Sequence, residues 1–194
     1  MTAWQDDPVG IGALVPSSAK LARAVARQVS AAGTGTIVEL GPGSGTITAA
    51  LLEHGIAPHR LYLVERNPAL AGFLRRRFAG VRVVEHDAGR LPALVRRDGI
   101  DRVAAIVSSL PLRNLDARAR YALLRRSFAV LEPSGVFVQY TYRHSAPLTT
   151  AMEERLGVVA ECAGYVWSNI PPASIWRLRP AAGRRRAAGE PQLS

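Results

Sequence analysis

Cysteine is almost absent from this chain. Cys162 is the only one in 194 residues, which excludes an internal disulfide framework, a thiolate zinc cluster and a CxxC redox pair together. A reduced, partly buried thiol is expected. Long apolar runs are also missing: 48% of the residues are hydrophobic, yet they are scattered among Arg and Gly, and no stretch approaches the roughly 20 residues of a membrane span. The opening MTAWQDDPVG lacks both the basic start and the apolar stretch of roughly 7 to 15 residues that a secretory signal needs. A cytoplasmic protein is expected. No G-K-[ST] occurs anywhere, which excludes a P-loop, and no metal is expected.

What the chain has in excess is arginine. Every basic residue except Lys20 is Arg, and 25 Lys and Arg face 15 Asp and Glu for a formal net charge of +10. An anionic partner is expected, whether nucleic acid, an anionic membrane surface or an anionic small molecule. Heavy Ala, Gly, Pro and Arg usage also fits the codon bias of a GC-rich genome, so charge does not choose among them.

The length is that of one compact domain. The first 15 residues lack periodicity and read as an extended arm. From Pro16, with Ser17 or Ser18 as cap, Leu21, Val25 and Val29 recur at a spacing of four, while Lys20, Arg23 and Arg27 share another flank. That is an amphipathic helix, able to lie in a bilayer interface or to pack on a sheet. Strand and helix patterns then alternate, with strands over 36–40, 61–65, 81–85, 103–107 and 135–140 and helices over 44–53, 68–78, 92–97 and 117–131. The alternation predicts an α/β fold, a mostly parallel sheet with helices on both faces. Residues 147–156 read as a further helix, and 165–169 and 174–178 as two strands without a helix between them. An antiparallel hairpin at one sheet edge follows. The expected organisation is an arm and helix over 1–30, a main domain over 31–180 and a mobile basic tail over 181–194.

The strongest local signal is Val38-Glu39-Leu40-Gly41-Pro42-Gly43-Ser44-Gly45, between the first strand and the helix after it. Ligands of open α/β sheets sit at the carboxyl ends of strands, and glycines there let a ligand approach the backbone. Glu65 ends the second strand, where a carboxylate can accept both hydroxyls of a ribose, and Asp87 follows the third, within reach of an adenine amino group. The pattern is G-x-G-x-G, with Thr46 where a dinucleotide fingerprint needs its third glycine. Glu39, directly before the loop, would repel a pyrophosphate but suits the cationic amino acid end of S-adenosylmethionine.

These residues resemble class I S-adenosylmethionine-dependent methyltransferases, whose E-x-G-x-G-x-G loop and two following acids match in order and spacing over 36–142. The resemblance implies a Rossmann-like, seven-stranded sheet ending in an antiparallel hairpin. After the fourth strand stands Ser108-Ser109-Leu110-Pro111-Leu112, without the Asn or Asp and closing aromatic usual in methylases of nucleic acid bases. It is similar instead to the bacterial phospholipid N-methyltransferases, as are Gly12-Ala13-Leu14-Val15-Pro16-Ser17-Ser18, Gln139-Tyr140-Thr141-Tyr142 and Asn169-Ile170-Pro171-Pro172-Ala173.

That resemblance implies N-methylation of phosphatidylethanolamine and its mono- and dimethylated forms toward phosphatidylcholine, by a monomer held peripherally on the inner face of the cell membrane through residues 16–30 and basic patches. The candidate cofactor residues are Ser18, Glu39, Gly41, Gly43, Ser44, Gly45, Glu65, Arg66, Asp87, Ala88, Ser108 and Leu110, for S-adenosyl-L-methionine and its product S-adenosyl-L-homocysteine. On the substrate side stand Ser109, with Tyr140 and Tyr142 to orient the amine and hold methylated cations, His144 as a proton acceptor, and Asn169 to position a head group or cap the turn. Two other readings compete. One is a ribosomal RNA adenine dimethyltransferase, which lacks its N-[LI]-P-[YF] here, and the other a non-catalytic cofactor-binding adaptor of membrane or RNA.

Overall fold

The computed structural model describes residues 18–29, 33–142 and 145–181. Helix α1 (Ala19–Val29) precedes β1 (Thr36–Leu40), α2 (Thr46–Glu53), β2 (Leu61–Glu65), α3 (Pro68–Arg77), β3 (Arg82–Glu85), α4 (Leu91–Arg97), β4 (Val103–Ser108), α5 (Ala117–Val130), β5 (Leu131–Thr141), α6 (Thr150–Leu156), β6 (Val158–Val166) and β7 (Ala173–Pro180). One seven-stranded sheet runs in the order β3-β2-β1-β4-β5-β7-β6. The first five strands are mutually parallel, and β7 is antiparallel to both β5 and β6. This is the expected class I architecture, with its edge hairpin.

Alternation along the strands divides the core. Ile37, Ala105, Val107, Val136 and Val138 face α1 and α2, while Val38, Ile106 and Phe137 face α4 and α5. Leu74 of α3 closes over Leu63 on the first of these faces. Because the central strands are buried on both sides, they read as the near-continuous apolar runs that marked them in the sequence.

Helix α1 takes the sheet, not a bilayer, as its apolar partner. Leu21, Val25 and Val29 are wholly buried in the same core as α2 and β5, so the division at residue 30 is no boundary between cores. Ser18 caps it, accepting from the Leu21 N–H at 3.2 Å. Residues 1–17 and 182–194, with the expected arm and tail, lie outside the described residues.

Boundaries shift where turn chemistry intervenes. Helix α2 starts at Thr46, two residues later than periodicity suggests, because Gly45 sits at φ 78° outside helical space. Helix α6 begins at Thr150, with Thr149 accepting from the Met152 N–H. The largest correction concerns the hairpin. Its first strand is Val158–Val166 rather than 165–169, pairing with β7 as far as Pro180 across a register shift between Cys162 and Gly164. Residues Trp167 to Pro172 form the turn instead, with a cis Ile170–Pro171 bond.

Candidate functional site

Strand register places the candidate residues along one edge. Val64, Leu40, Ser108 and Gln139 form a row across β2, β1, β4 and β5. One step beyond it, the Gly41 N–H donates to Val64 O and the Ser109 N–H to Leu40 O, each at 2.9 Å. Glu65, Gly41, Ser109 and Tyr140 therefore line the carboxyl edge of the sheet, the position ligands take in open α/β folds.

The turn itself is left-handed three times, with φ of 67°, 57° and 78° at Gly41, Gly43 and Gly45. The three glycines differ in what surrounds them. A Cβ on Gly41 would strike Leu110, and one on Gly45 would strike Phe78 and Leu74, so both sit tight against neighbouring side chains. A Cβ on Gly43 would meet nothing within 4 Å. Gly43 thus faces open space at the turn's crest, where a ligand can approach the backbone.

Two acids flank this turn. The Gly43 N–H donates to Glu65 Oε2 at 3.1 Å and the Asn67 N–H to Oε1 at 2.8 Å, which fixes the carboxylate at the end of β2. Each oxygen retains a further lone pair for a hydroxyl donor. Beneath the turn, Glu39 is wholly buried; Thr48 Oγ1 donates to its Oε2 at 2.7 Å, and among the described residues its Oε1 has no partner. Burial, opposed by the Thr48 hydrogen bond and reinforced by the nearby Glu65 charge, pushes the Glu39 carboxyl up from 4.5 to about 7. A cation placed beside this oxygen would favour the ionised form.

Around them, Asp87 is exposed after β3, its Oδ1 accepting from the Gly89 N–H at 2.7 Å. Ala88 is next to it in a short 3-10 turn, and Arg66 is exposed after β2. Ser44 Oγ meets Thr46 Oγ1 at 3.1 Å, and Arg77 holds the loop's outer side by donating to Ser44 O at 2.9 Å. Ser108 is wholly buried and its Oγ accepts weakly from the Leu110 N–H at 3.4 Å, while Ser109 is slightly exposed at the edge. The chemistry of this donor set suits an adenosine ligand with a cationic tail.

On the substrate side, Tyr140 and Tyr142 project from the end of β5 toward the α1 face, with ring centroids 5.9 Å apart in an edge-on arrangement at 74°. Tyr140 is buried and Tyr142 is half-buried beside it. Asn169 is 2% exposed and committed to the chain's own backbone: Oδ1 accepts from the Ser18 N–H at 3.3 Å, and Nδ2 donates to Pro171 O at 2.6 Å. It ties the hairpin turn to the start of α1, as a turn-capping residue does. Ser18 likewise joins Asn169, and among the described residues no hydrogen bond links it to the glycine turn. His144 lies outside the described residues.

Sequence reading missed Thr48, and it gave Gln139 no role beyond its place in the Gln139-Tyr140-Thr141-Tyr142 segment. Gln139 is buried, and its Nε2 donates to Tyr140 O at 2.7 Å and Leu110 O at 3.2 Å. It thereby fixes the segment after β4, whose Leu110 covers Gly41. Beyond that segment, its sequence signal is a polar residue within the apolar run of β5. Among the described residues no His, Cys, Asp and Glu group could hold a metal, and no helix is long and apolar enough to cross a membrane.

Residues 37–135 match the profile of a methyltransferase domain family. The chain is 35% identical over 134 residues to an ornithine lipid N-methyltransferase of Singulisphaera acidiphila, covering 68% of this chain and 70% of that protein. Among solved structures it is similar to a Burkholderia thailandensis 1,6-didemethyltoxoflavin-N1-methyltransferase that holds its substrate and S-adenosylhomocysteine. The TM-score is 0.64 and the identity 19%, over 84% of this chain and 78% of that one. It also resembles TrmN from Thermus thermophilus, with a TM-score of 0.61 and 20% identity over 84% of this chain, but it spans about half (48%) of that chain. At these identities the structural likeness is one of fold.

Proposed function

The chain belongs to the methyltransferase domain family, and we propose that it transfers methyl groups from S-adenosylmethionine to the primary amine of a membrane lipid, phosphatidylethanolamine first among them. The observation that carries this reading is the Glu39 carboxylate, buried beneath the glycine turn with one oxygen unpartnered. S-adenosylmethionine supplies, when bound, an electrophilic methyl on a sulfonium sulfur.

The chain's own residues do the rest. Glu39 holds the amino acid ammonium, Glu65 accepts from the ribose hydroxyls, Asp87 meets the adenine amino group, and Gly43 leaves room for the approach. Across the edge, Ser109 and the two tyrosines form the wall where an amine would stand. A lipid ammonium must lose a proton before its lone pair can attack, and positioning of that lone pair supplies most of the acceleration. The tyrosine rings hold the successively methylated cations through their π faces, which permits passage toward phosphatidylcholine without a new contact at each step.

A lipid is favoured over RNA by Ser108-Ser109-Leu110-Pro111-Leu112, which lacks a stacking aromatic, and by the lipid-modifying relative. That relative's named substrate also gives a second reading, an ornithine lipid, whose amine presents the same chemistry to the site. The test is transfer of labelled methyl groups to phosphatidylethanolamine vesicles, ornithine lipid vesicles and naked ribosomal RNA in parallel. Label in phosphatidylethanolamine is expected; label in ornithine lipid alone would move the substrate, and label in RNA alone would overturn the lipid reading.

A further inference from the structure

Helix α1 and the turn between β6 and β7 enclose an open groove of about 490 Å³. One wall carries Lys20, Arg23 and Arg27, all exposed, and the other carries Tyr165 and Trp167. Unlike Arg75, Arg82, Arg97 and Arg177, which pair with acids, these three cations make no ion pair among the described residues. Exposed hydrophobics gather at the same place: of the five large ones among the described residues, Tyr165, Trp167 and Ile170 belong to this hairpin end, and Ile170 is 85% exposed. The Tyr165 and Trp167 rings stack with centroids 5.6 Å apart.

Topology gives this patch its direction. Strand β7 runs antiparallel to β5 with Ser174 opposite Thr141, so the turn leaves the sheet at the carboxyl end of β5. Gly41, Glu65 and Ser109 lie at that same end. Asn169 fastens the turn to the start of α1 through Ser18, so cations and apolar tip form one surface beside the site.

We infer that this surface, the exposed flank of α1 together with Trp167 and Ile170, docks on an anionic bilayer and turns the carboxyl edge of the sheet toward the lipid head groups. The apolar stripe of α1 takes no part, because it is interior; α1 contributes charge, and the hairpin turn contributes the side chains that enter the interface. Ile170, 85% exposed, suits acyl chains, and the Trp167 indole beside it suits the boundary between head groups and chains. A second copy of this chain is disfavoured by the net charge of +10 on each.

This inference deepens the lipid reading and rests on it, so the test separates them. Full-length protein, without methyl donor, is floated with vesicles of phosphatidylcholine alone or mixed with phosphatidylglycerol. Binding to the mixed vesicles is expected. Lys20→Gln/Arg23→Gln/Arg27→Gln should weaken that binding by roughly a hundredfold, from about 1 kcal/mol for each cation, and Trp167→Ser/Ile170→Ser by about tenfold or more. Thermal melting checks that both variants are folded. As an independent readout, brominated lipid should quench the wild-type fluorescence, and Trp167→Phe should lose most of that quenching. Wild-type binding by the triple variant, or quenching undiminished in Trp167→Phe, would overturn the docking face. So would naked RNA binding that only the same substitutions abolish. Intact vesicle binding without lipid methylation sinks the substrate reading alone, and methylation of a short-chain lipid amine in solution without vesicle binding sinks the docking face alone.

Discussion

Thr48 Oγ1, on the third residue of α2, donates to Glu39 Oε2 at 2.7 Å, and among the described residues no group hydrogen-bonds the other oxygen. A half-satisfied carboxylate in the interior destabilises the fold. The cationic ligand proposed for the glycine turn would complete it. Glu39→Gln keeps an acceptor for Thr48 and removes the charge. At pH 8 this variant should be more stable than the parent by about 1–3 kcal/mol and should bind S-adenosylhomocysteine at least tenfold more weakly. Because the folded carboxyl titrates near 7 against an ordinary 4.5, its contribution to stability is whole below pH 4.5 and is lost as pH rises through 7. Melting curves at pH 5 and pH 8 should therefore show the advantage of the variant at pH 8 only.

Donor binding carries the opposite pH dependence. An ammonium beside Glu39 favours the ionised carboxylate, so binding below pH 7 must release a proton from it. Affinity should rise with pH up to about 7 and then level off. Equilibrium dialysis across this range would detect it, and Glu39→Gln should flatten the profile.

The glycines of the turn should separate packing from ligand contact. Gly45→Ala forces a Cβ into Phe78 and Leu74 at φ 78° and should cost about 2–5 kcal/mol of stability. Gly43→Ala meets open space, so it should lose only about 1–2 kcal/mol while donor affinity falls far more. Chemical denaturation and dialysis on the two variants would show whether stability and affinity part in this way.

Tyr142 should act through its ring. Tyr142→Phe should stay within about threefold of wild-type turnover, whereas Tyr142→Leu should slow the second and third methyl transfers by about 3–30-fold more than the first, the range of a cation–π contact. Lipid mass spectra resolved by methyl count would read this directly, and equal slowing of all three steps would remove the ring from the account.

Gln139 joins β5 to the segment covering the glycine turn. Gln139→Leu leaves the carbonyls of Leu110 and Tyr140 without that donor and should cost about 1–3 kcal/mol. Loosening of Leu110 from Gly41 should raise KM for the donor more than it lowers kcat, a split that general destabilisation would not produce.

The fold was legible because buried parallel strands announce themselves as short β-branched runs between helical periods, as at 36–40 and 103–107. The glycine turn and the acids beside it were legible as one sheet edge because they are tied to strand ends, whose positions sequence gives well. Residues held by tertiary contact were not. Thr48 matters only because α2 returns it over Glu39, and Gln139 only because β5 lies beside β4. The hairpin misled for a related reason: Val158 to Cys162 alternate weakly, while Trp167 and its neighbours look strand-forming but are bent into a turn that Asn169 ties back to α1. The destination of the α1 stripe was equally hidden, since an amphipathic pattern fits a sheet and a bilayer alike.

The most direct test is a calorimetric titration of S-adenosylhomocysteine into the purified chain at pH 8. The account predicts saturable binding at one site per chain, weakened at least tenfold by Glu39→Gln. Absence of any binding heat, or equal affinity in the two proteins, would contradict it.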